Sequence, residues 1–212
     1  KKAKTLVKTF TSKSSAIRGP NNVMSVKLLY ADTFNLNPGA VGAAQTQTFR
    51  LSSIHDPDFT NVGHQPLGHD QLADLYERYQ VFKVDFEIEF MNISTASEAQ
   101  GVGYRVSDSN STSTDSRVIL ENGGGEFALI GQAGAAKKSF RGSVWVNDAH
   151  GITYRQYMAN DDYGAKFGSN PVEEAYLHIY ADGTGGDTQG VKMRVRLTYH
   201  TKLMGSTLTA LS

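Results

Sequence analysis

Along most of this chain apolar side chains return at every second position, the spacing that lines one face of a β-strand. The clearest case is VFKVDFEIEFM, where Phe82, Val84, Phe86, Ile88 and Phe90 fall on one side and Lys83, Asp85, Glu87 and Glu89 on the other. Near the C-terminus Val191, Met193, Val195, Leu197 and Tyr199 alternate in the same way with Lys192, Arg194, Arg196 and His200. Met24, Val26, Leu28, Tyr30 and Phe34 repeat the period near the start, and shorter segments at 46–51, 101–106, 126–131, 137–146 and 173–181 are bounded by Gly, Asp, Asn or Ser clusters. The pattern therefore predicts about eight two-faced strands.

Helical spacing is confined to short pieces. In DQLADLYERY, Leu72, Leu75, Tyr76 and Tyr79 fall at i, i+3, i+4 and i+7, with Asp70 as an N-cap and Arg78 suited to the C-terminal end; a second piece lies within 113–122. Eight strands with few helices predict an all-β fold, a single eight-stranded antiparallel jelly-roll sandwich with short helices in the connecting loops. In a jelly roll the last strand lies between the first and the fourth, and the acidic segment 82–91 is assigned that fourth place. Its carboxylates would then face Lys192, Arg194 and Arg196, and each opposed pair contributes about 0.2–1 kcal/mol. Contact with nucleic acid is the other use open to those three cations.

At 212 residues and 39% hydrophobic, the chain is long enough for one sizeable core. It has no cysteine, which removes disulfides, thiolate metal sites and thiol nucleophiles together. No apolar run approaches the roughly 18–20 residues of a membrane helix, so a soluble protein without membrane insertion is expected. The net charge of zero conceals an asymmetry. Lys1, Lys2, Lys4, Lys8, Lys13, Arg18 and Lys27 all precede the first acid, Asp32, so residues 1–31 carry +7, and the other 14 cations and 21 acids sum to −7. Two units follow: a basic N-terminal arm over 1–22, and a jelly-roll domain over 23–212. A basic tail before an acidic body has the electrostatic form of a chain that meets a polyanion; a solvated terminus is the plainer alternative.

The chemistry-bearing residues crowd into HDPDFTNVGHQPLGHDQLADLYERYQV, 55–81. His64 and His69 with Asp56, Asp58 and Asp70 could be drawn as a cation site, yet the chain has neither HxH nor HExxH, and the turn residues of the stretch explain its polarity. No GxSxG elbow occurs, and GQAGAAKKS departs from a phosphate loop at Ala136 and Lys138, so it reads as a turn before a strand. GTGGDTQG, 183–190, reads as a hairpin connection. No metal, cofactor or catalytic residue is expected. The long insertion HGITYRQYMANDDYGAKFGSNP carries Tyr154, Tyr157, Tyr163 and Phe167, which form either a partner surface or a loop folded back on its own domain.

Taken together, FRLSSIHDPDFTNVGHQPLGHDQLADLYERYQVFKVDFEIEFMN resembles the capsid proteins of circular, Rep-encoding single-stranded DNA viruses, the circovirus-like group. The likeness rests on DPD in a short polar loop, GHQP, Gly-x-Asp-Gln, and LYxRYxV feeding a long strand; it places Tyr76, Arg78 and Tyr79 at a helix-to-strand junction beneath the fourth strand. The resemblance implies a single jelly roll, about sixty copies of which close a T=1 icosahedral shell around single-stranded DNA. It implies genome contact through phosphates by an arm ahead of the domain, here Lys1, Lys2, Lys4, Lys8, Lys13 and Arg18, and subunit contact by the loops at 55–70 and 147–171. The family's arm is Arg-rich and this one holds a single Arg, which, with a start at Lys rather than Met, leads us to expect a richer segment upstream. The expected location is the virion; a host attachment factor is not legible. Two other readings stay open at this point: a non-viral jelly-roll binding module, lectin-like or cytokine-like, and the capsid of an RNA virus. A cupin-type enzyme is disfavoured by the missing metal motif.

Overall fold

The structure, a computed structural model, describes residues 22–38, 42–60, 62–93, 99–131, 137–183 and 190–207. All eight expected strands form: β1 (Val23–Leu36), β2 (Ala44–Arg50), β3 (Tyr76–Asn92), β4 (Gln100–Ser107), β5 (Gly125–Ile130), β6 (Lys137–Trp145), β8 (Tyr176–Asp182) and β9 (Val191–Ser206). A two-residue strand, β7 (Ala165–Lys166), adds to the edge of β3. The strands build two antiparallel sheets, one ordered β1-β9-β3-β6 with β7 beside β3, the other β2-β8-β4-β5. This is the jelly-roll sandwich.

Between the sheets the alternating faces meet. Val191, Met193, Val195, Leu197 and Tyr199 are fully buried, opposite Leu177, Ile179 and Ala181 of the second sheet. Burying each such aliphatic side chain contributes on the order of 1.5–3 kcal/mol against the entropy of ordering the chain. At one end an aromatic run fills the gap: Phe90, Phe140, Tyr104 and Phe86 meet edge to face at 4.8–6.0 Å between ring centres. Gly142 makes room for it, because a Cβ there would stand 2.6 Å from Phe86 Cζ. The other face of β8 is also covered. His178 donates from Nε2 to the Ser109 carbonyl and meets Thr48 Oγ1 through Nδ1, both at 2.9 Å, and Tyr180 packs with Ala44 and Ile119. The segment after β4, with its helix α2 (Ser116–Asn122), thus shields a strand whose sequence, AYLHIYA, has no polar face to offer.

Four expectations need correction, the last of them at Phe82. The acidic strand is third in chain order, since only β1 and β2 precede it, and β9 lies between β1 and β3. Asp70 is not the N-cap: Gly68, at φ 89°, caps the helix two residues earlier, and α1 (His69–Ala73) takes Asp70 into its first turn. The helix also stops at Ala73. Tyr76, Arg78 and Tyr79, spaced as a helix would space them, belong to β3, where Arg78 pairs with Met204 and Lys166, and Tyr79 with Leu203 and Ala165. Cross-strand pairing on both sides outweighs a local periodicity of one turn. The second helical piece does form as α2, with Asp115 accepting from the Arg117 N–H at 2.9 Å.

β3 carries one irregularity that matters below. Val81 pairs with Thr201 and Lys83 with His200, so Phe82 is an extra residue in the ladder, a β-bulge. The alternation restarts there. Phe82 leaves the core face on which its spacing placed it and turns outward, half-buried, while Val84, Phe86, Ile88 and Phe90 keep the core.

Candidate nucleic-acid interface

The outer face of the β1-β9-β3-β6 sheet is a grid set by strand register. Reading across β1, β9, β3 and β6, its rows are Lys27, His200, Lys83, Trp145; Leu29, Thr198, Asp85, Ser143; Ala31, Arg196, Glu87, Arg141; Thr33, Arg194, Glu89, Ser139; and Asn35, Lys192, Met91, Lys137. Successive rows lie about 7 Å apart along the strands. Seven lysines and arginines stand on this grid against three carboxylates, all three on β3.

The carboxylates are bound into the sheet. Arg194 reaches Glu89 at 3.3 Å, Arg196 reaches Glu87 at 3.5 Å, and Arg141 clasps Glu87 from the other side. Asp85 takes Lys83 at 2.8 Å, His200 at 2.6 Å and the Ser143 hydroxyl at 2.5 Å. Partial burial works to raise the Asp85 carboxyl; the hydrogen bonds from Lys83, Ser143 and His200 outweigh it and hold the group well below the usual carboxylate range. So Arg194 and Arg196 serve the cross-strand pairing expected of them, while Lys192 has no ion pair among the described residues. Length decides what solvent meets. Glu87 is 23% exposed beneath Arg196 at 60% and Arg141 at 72%, so the longer guanidinium groups cover the acids and present their own charge outward.

At one end of the grid three rings form a corner. Phe82 and Trp145 lie 6.2 Å apart at 33°, and Tyr154, from helix α4 (Tyr154–Ala159), stands nearly perpendicular to both at 6.3 and 5.9 Å. Trp145 is 44% and Tyr154 47% exposed. Asn147 and Asp148 of the short helix α3 (Val146–Ala149) complete the hollow, and Lys83 Nζ lies 5.9 Å from the Trp145 ring centre. The bulge is what brings Phe82 here. Thr153 and Gln156 fix Tyr154 by a capping box at the start of α4. The rest of the insertion folds back: Tyr157 is fully buried and donates to the Val81 carbonyl at 2.6 Å, and Tyr163 and Phe167 pack on the core.

The polar loop at 55–70 spends its side chains internally. Arg50, buried at the end of β2, reaches Glu174 at 3.1 Å, Asp56 at 3.0 Å and the carbonyls of Asp56 and Asp58, with its guanidinium 4.7 Å from the centre of the Phe59 ring. Asp58 accepts from Gln47 at 2.7 Å and from the Thr60 N–H. His64 stacks on Tyr30 at 4.6 Å and meets the Ala31 carbonyl, whereas His69 turns to Asp70 and the Phe167 ring. The two histidines that a cation site would need go to different partners, and no group of three or more metal-ligating side chains occurs among the described residues.

Of the arm, Lys1, Lys2, Lys4, Lys8, Lys13 and Arg18 lie outside the described residues, as do 132–136 and 184–189 within the two Gly-rich connections. The first described residue, Asn22, accepts from the Gly205 and Ser206 N–H groups, so the chain enters the domain at the edge of the basic sheet. Sequence reading missed Lys137, Arg141 and Trp145 as members of one face with Lys192 and Arg194. The signal was present in KKSFRGSVW, whose odd positions alternate with Phe140 and Val144; what was missing was the neighbour of that strand.

No family model and no curated protein sequence matches this chain. Solved structures do. A chain from a semi-empty VLP of giant freshwater prawn Macrobrachium rosenbergii nodavirus aligns over 99% of this chain and 96% of its own, at 10% identity and a TM-score of 0.50. A BFDV capsid protein, crystallised as a decamer, aligns over 85% and 99% at 12% identity and a TM-score of 0.46, and a Desmodium yellow mottle tymovirus chain over 95% and 99% at 14% and 0.41. At these identities the likeness is one of fold.

Proposed function

We propose that this chain is a viral capsid protein with a structural rather than an enzymatic role. About sixty copies assemble into a T=1 icosahedral shell that encloses a single-stranded DNA genome. The observation that carries the reading is the fold: one jelly roll accounts for both sheets, and it aligns with the nodavirus particle chain over nearly the whole length of each. The motif likeness across residues 49–92 favours the single-stranded DNA group within that broad class. The basic arm and the cationic outer sheet supply the counter-charge that a packaged polyanion requires, without reading its sequence. Lys1, Lys2, Lys4, Lys8, Lys13 and Arg18 are assigned to phosphates. The loops at 55–70 and 147–171 are assigned to contacts between copies; Val62 and Leu67, 84% and 89% exposed, are apolar side chains for which a partner surface is the natural cover.

Electron microscopy of the purified full chain tests assembly. Uniform closed shells are expected, and a stable monomer or trimer at high concentration overturns the reading. Deleting residues 1–18 is expected to cut co-purified nucleic acid several-fold while the circular dichroism spectrum stays unchanged; digestion of that nucleic acid by DNase but not RNase is the result expected of a DNA shell.

A further inference from the structure

We propose that the corner formed by Phe82, Trp145 and Tyr154 is a stacking site for an unpaired nucleobase, with the cationic sheet face beside it holding the strand's phosphates. The inference rests on the capsid reading for its biological setting but on local geometry for its chemistry. Two rings inclined by only 33° make a floor, and a third, at 88–89° to both, makes a wall. A planar base laid on that floor covers exposed indole and meets the wall with its edge. Stacking of this kind accepts any base, because every base has a π-face, and it excludes a duplex, whose bases are already stacked.

Position favours nucleic acid over a second protein copy as the occupant of this corner, the rest of the 147–171 insertion being left to contacts between copies. Trp145 ends the row that begins with Lys27, His200 and Lys83, and the row two steps along holds Arg196 and Arg141. A strand with its phosphates over those cations places a base at the corner without leaving the sheet. Lys83, near the indole, is within reach of the phosphate that follows. At the rim the exposed Asp148 carboxylate can accept from a base N–H, while Asn147, buried, is held by its bonds to Asp148 and the Ile152 carbonyl at 2.8 and 2.9 Å. An apolar partner surface would not be expected to sit at the end of a cationic face.

Trp145 is the only tryptophan in the chain, so its fluorescence reads this site alone. The nuclease-treated full chain is titrated with oligo(dT) of about twelve nucleotides, with an abasic strand of the same length, and with a duplex. We expect strong quenching by oligo(dT), little by the abasic strand or the duplex, and an affinity for oligo(dT) at least about fivefold above that for the abasic strand. Tyr154→Ala should lower oligo(dT) affinity several-fold and leave abasic affinity unchanged. Equal affinity and quenching for oligo(dT) and abasic strands overturns the site. Loss of shells in Tyr154→Ala with oligo(dT) binding intact also overturns it, and makes the corner a contact between copies. Base-dependent quenching in a chain that forms no shells upholds the site and overturns the capsid reading.

Discussion

Arg50 illustrates how much a single buried charge can organise. It joins the end of β2 to the 55–59 turn and to Glu174 before β8, and replacing it with Ala would leave Asp56 and Glu174 close together without their shared cation. Arg50→Ala is expected to cost about 3–5 kcal/mol, read as a lower denaturant midpoint. An unchanged midpoint would mean that water replaces the guanidinium. His150 acts in the opposite sense. It lies between Tyr157 and Tyr163, its Nε2 meets no hydrogen-bond partner among the described residues, and burial pushes its pKa below the ordinary value against the pull of Asp108 and Glu173. Burial lowers His55 and His178 as well. A folded-state value below the unfolded one means that stability is complete above the unfolded value, about 6.5, and is lost as pH falls through the folded value. His64 works the other way, raised by its bonds to the Gln65 and Ala31 carbonyls; with three histidines lowered against this one, the protein should melt at a lower temperature at pH 5 than at pH 7. His150→Phe, which keeps the ring but not the proton, should show a smaller drop; an equal drop would place the acid lability elsewhere. None of this was visible in the sequence, where Arg50 is a polar residue in a short predicted strand and His150 one polar residue among many in an insertion.

At the scale of elements, alternation served well where one sheet face is dry and the other wet. β9 meets its pattern at every position from Val191 to Tyr199. It misled at Phe82, since a bulge changes which face a residue takes and no local signal announces it; helical spacing misled at Tyr76 and Tyr79, where an interval of three residues is also compatible with an irregular strand. Gly142 tests the packing of the sandwich. A methyl there would press on Phe86, so Gly142→Ala is expected to destabilise by about 1–3 kcal/mol in a urea titration. A neutral result would show that the Phe86 ring moves aside at no cost to its stack with Tyr104.

The whole molecule joins a basic arm to a sheet whose outer face is itself cationic. Glu87 moderates that face by sitting beneath Arg141 and Arg196. Glu87→Gln is expected to tighten binding of single-stranded oligonucleotide and steepen its salt dependence by up to about 0.7 in the log-log slope, while changing stability by no more than about 1 kcal/mol. Weaker or unchanged binding would place the phosphates away from this sheet. The sequence by itself determined eight of the nine strands, the two-faced character of β1, β3 and β9, and the segregation of positive charge at the start, because these follow from periodicity and composition that any fold must respect. It also made the 55–81 stretch legible as turn and scaffold. Only the tertiary structure decided that β6 lies beside β3, that the bulge turns Phe82 outward to meet Trp145, and that Tyr154 arrives from an insertion to close the corner. The physical reason is that cross-strand neighbours and ring contacts join residues far apart in the chain, and their pairing is chosen by the burial of both sheets at once rather than by any local stretch.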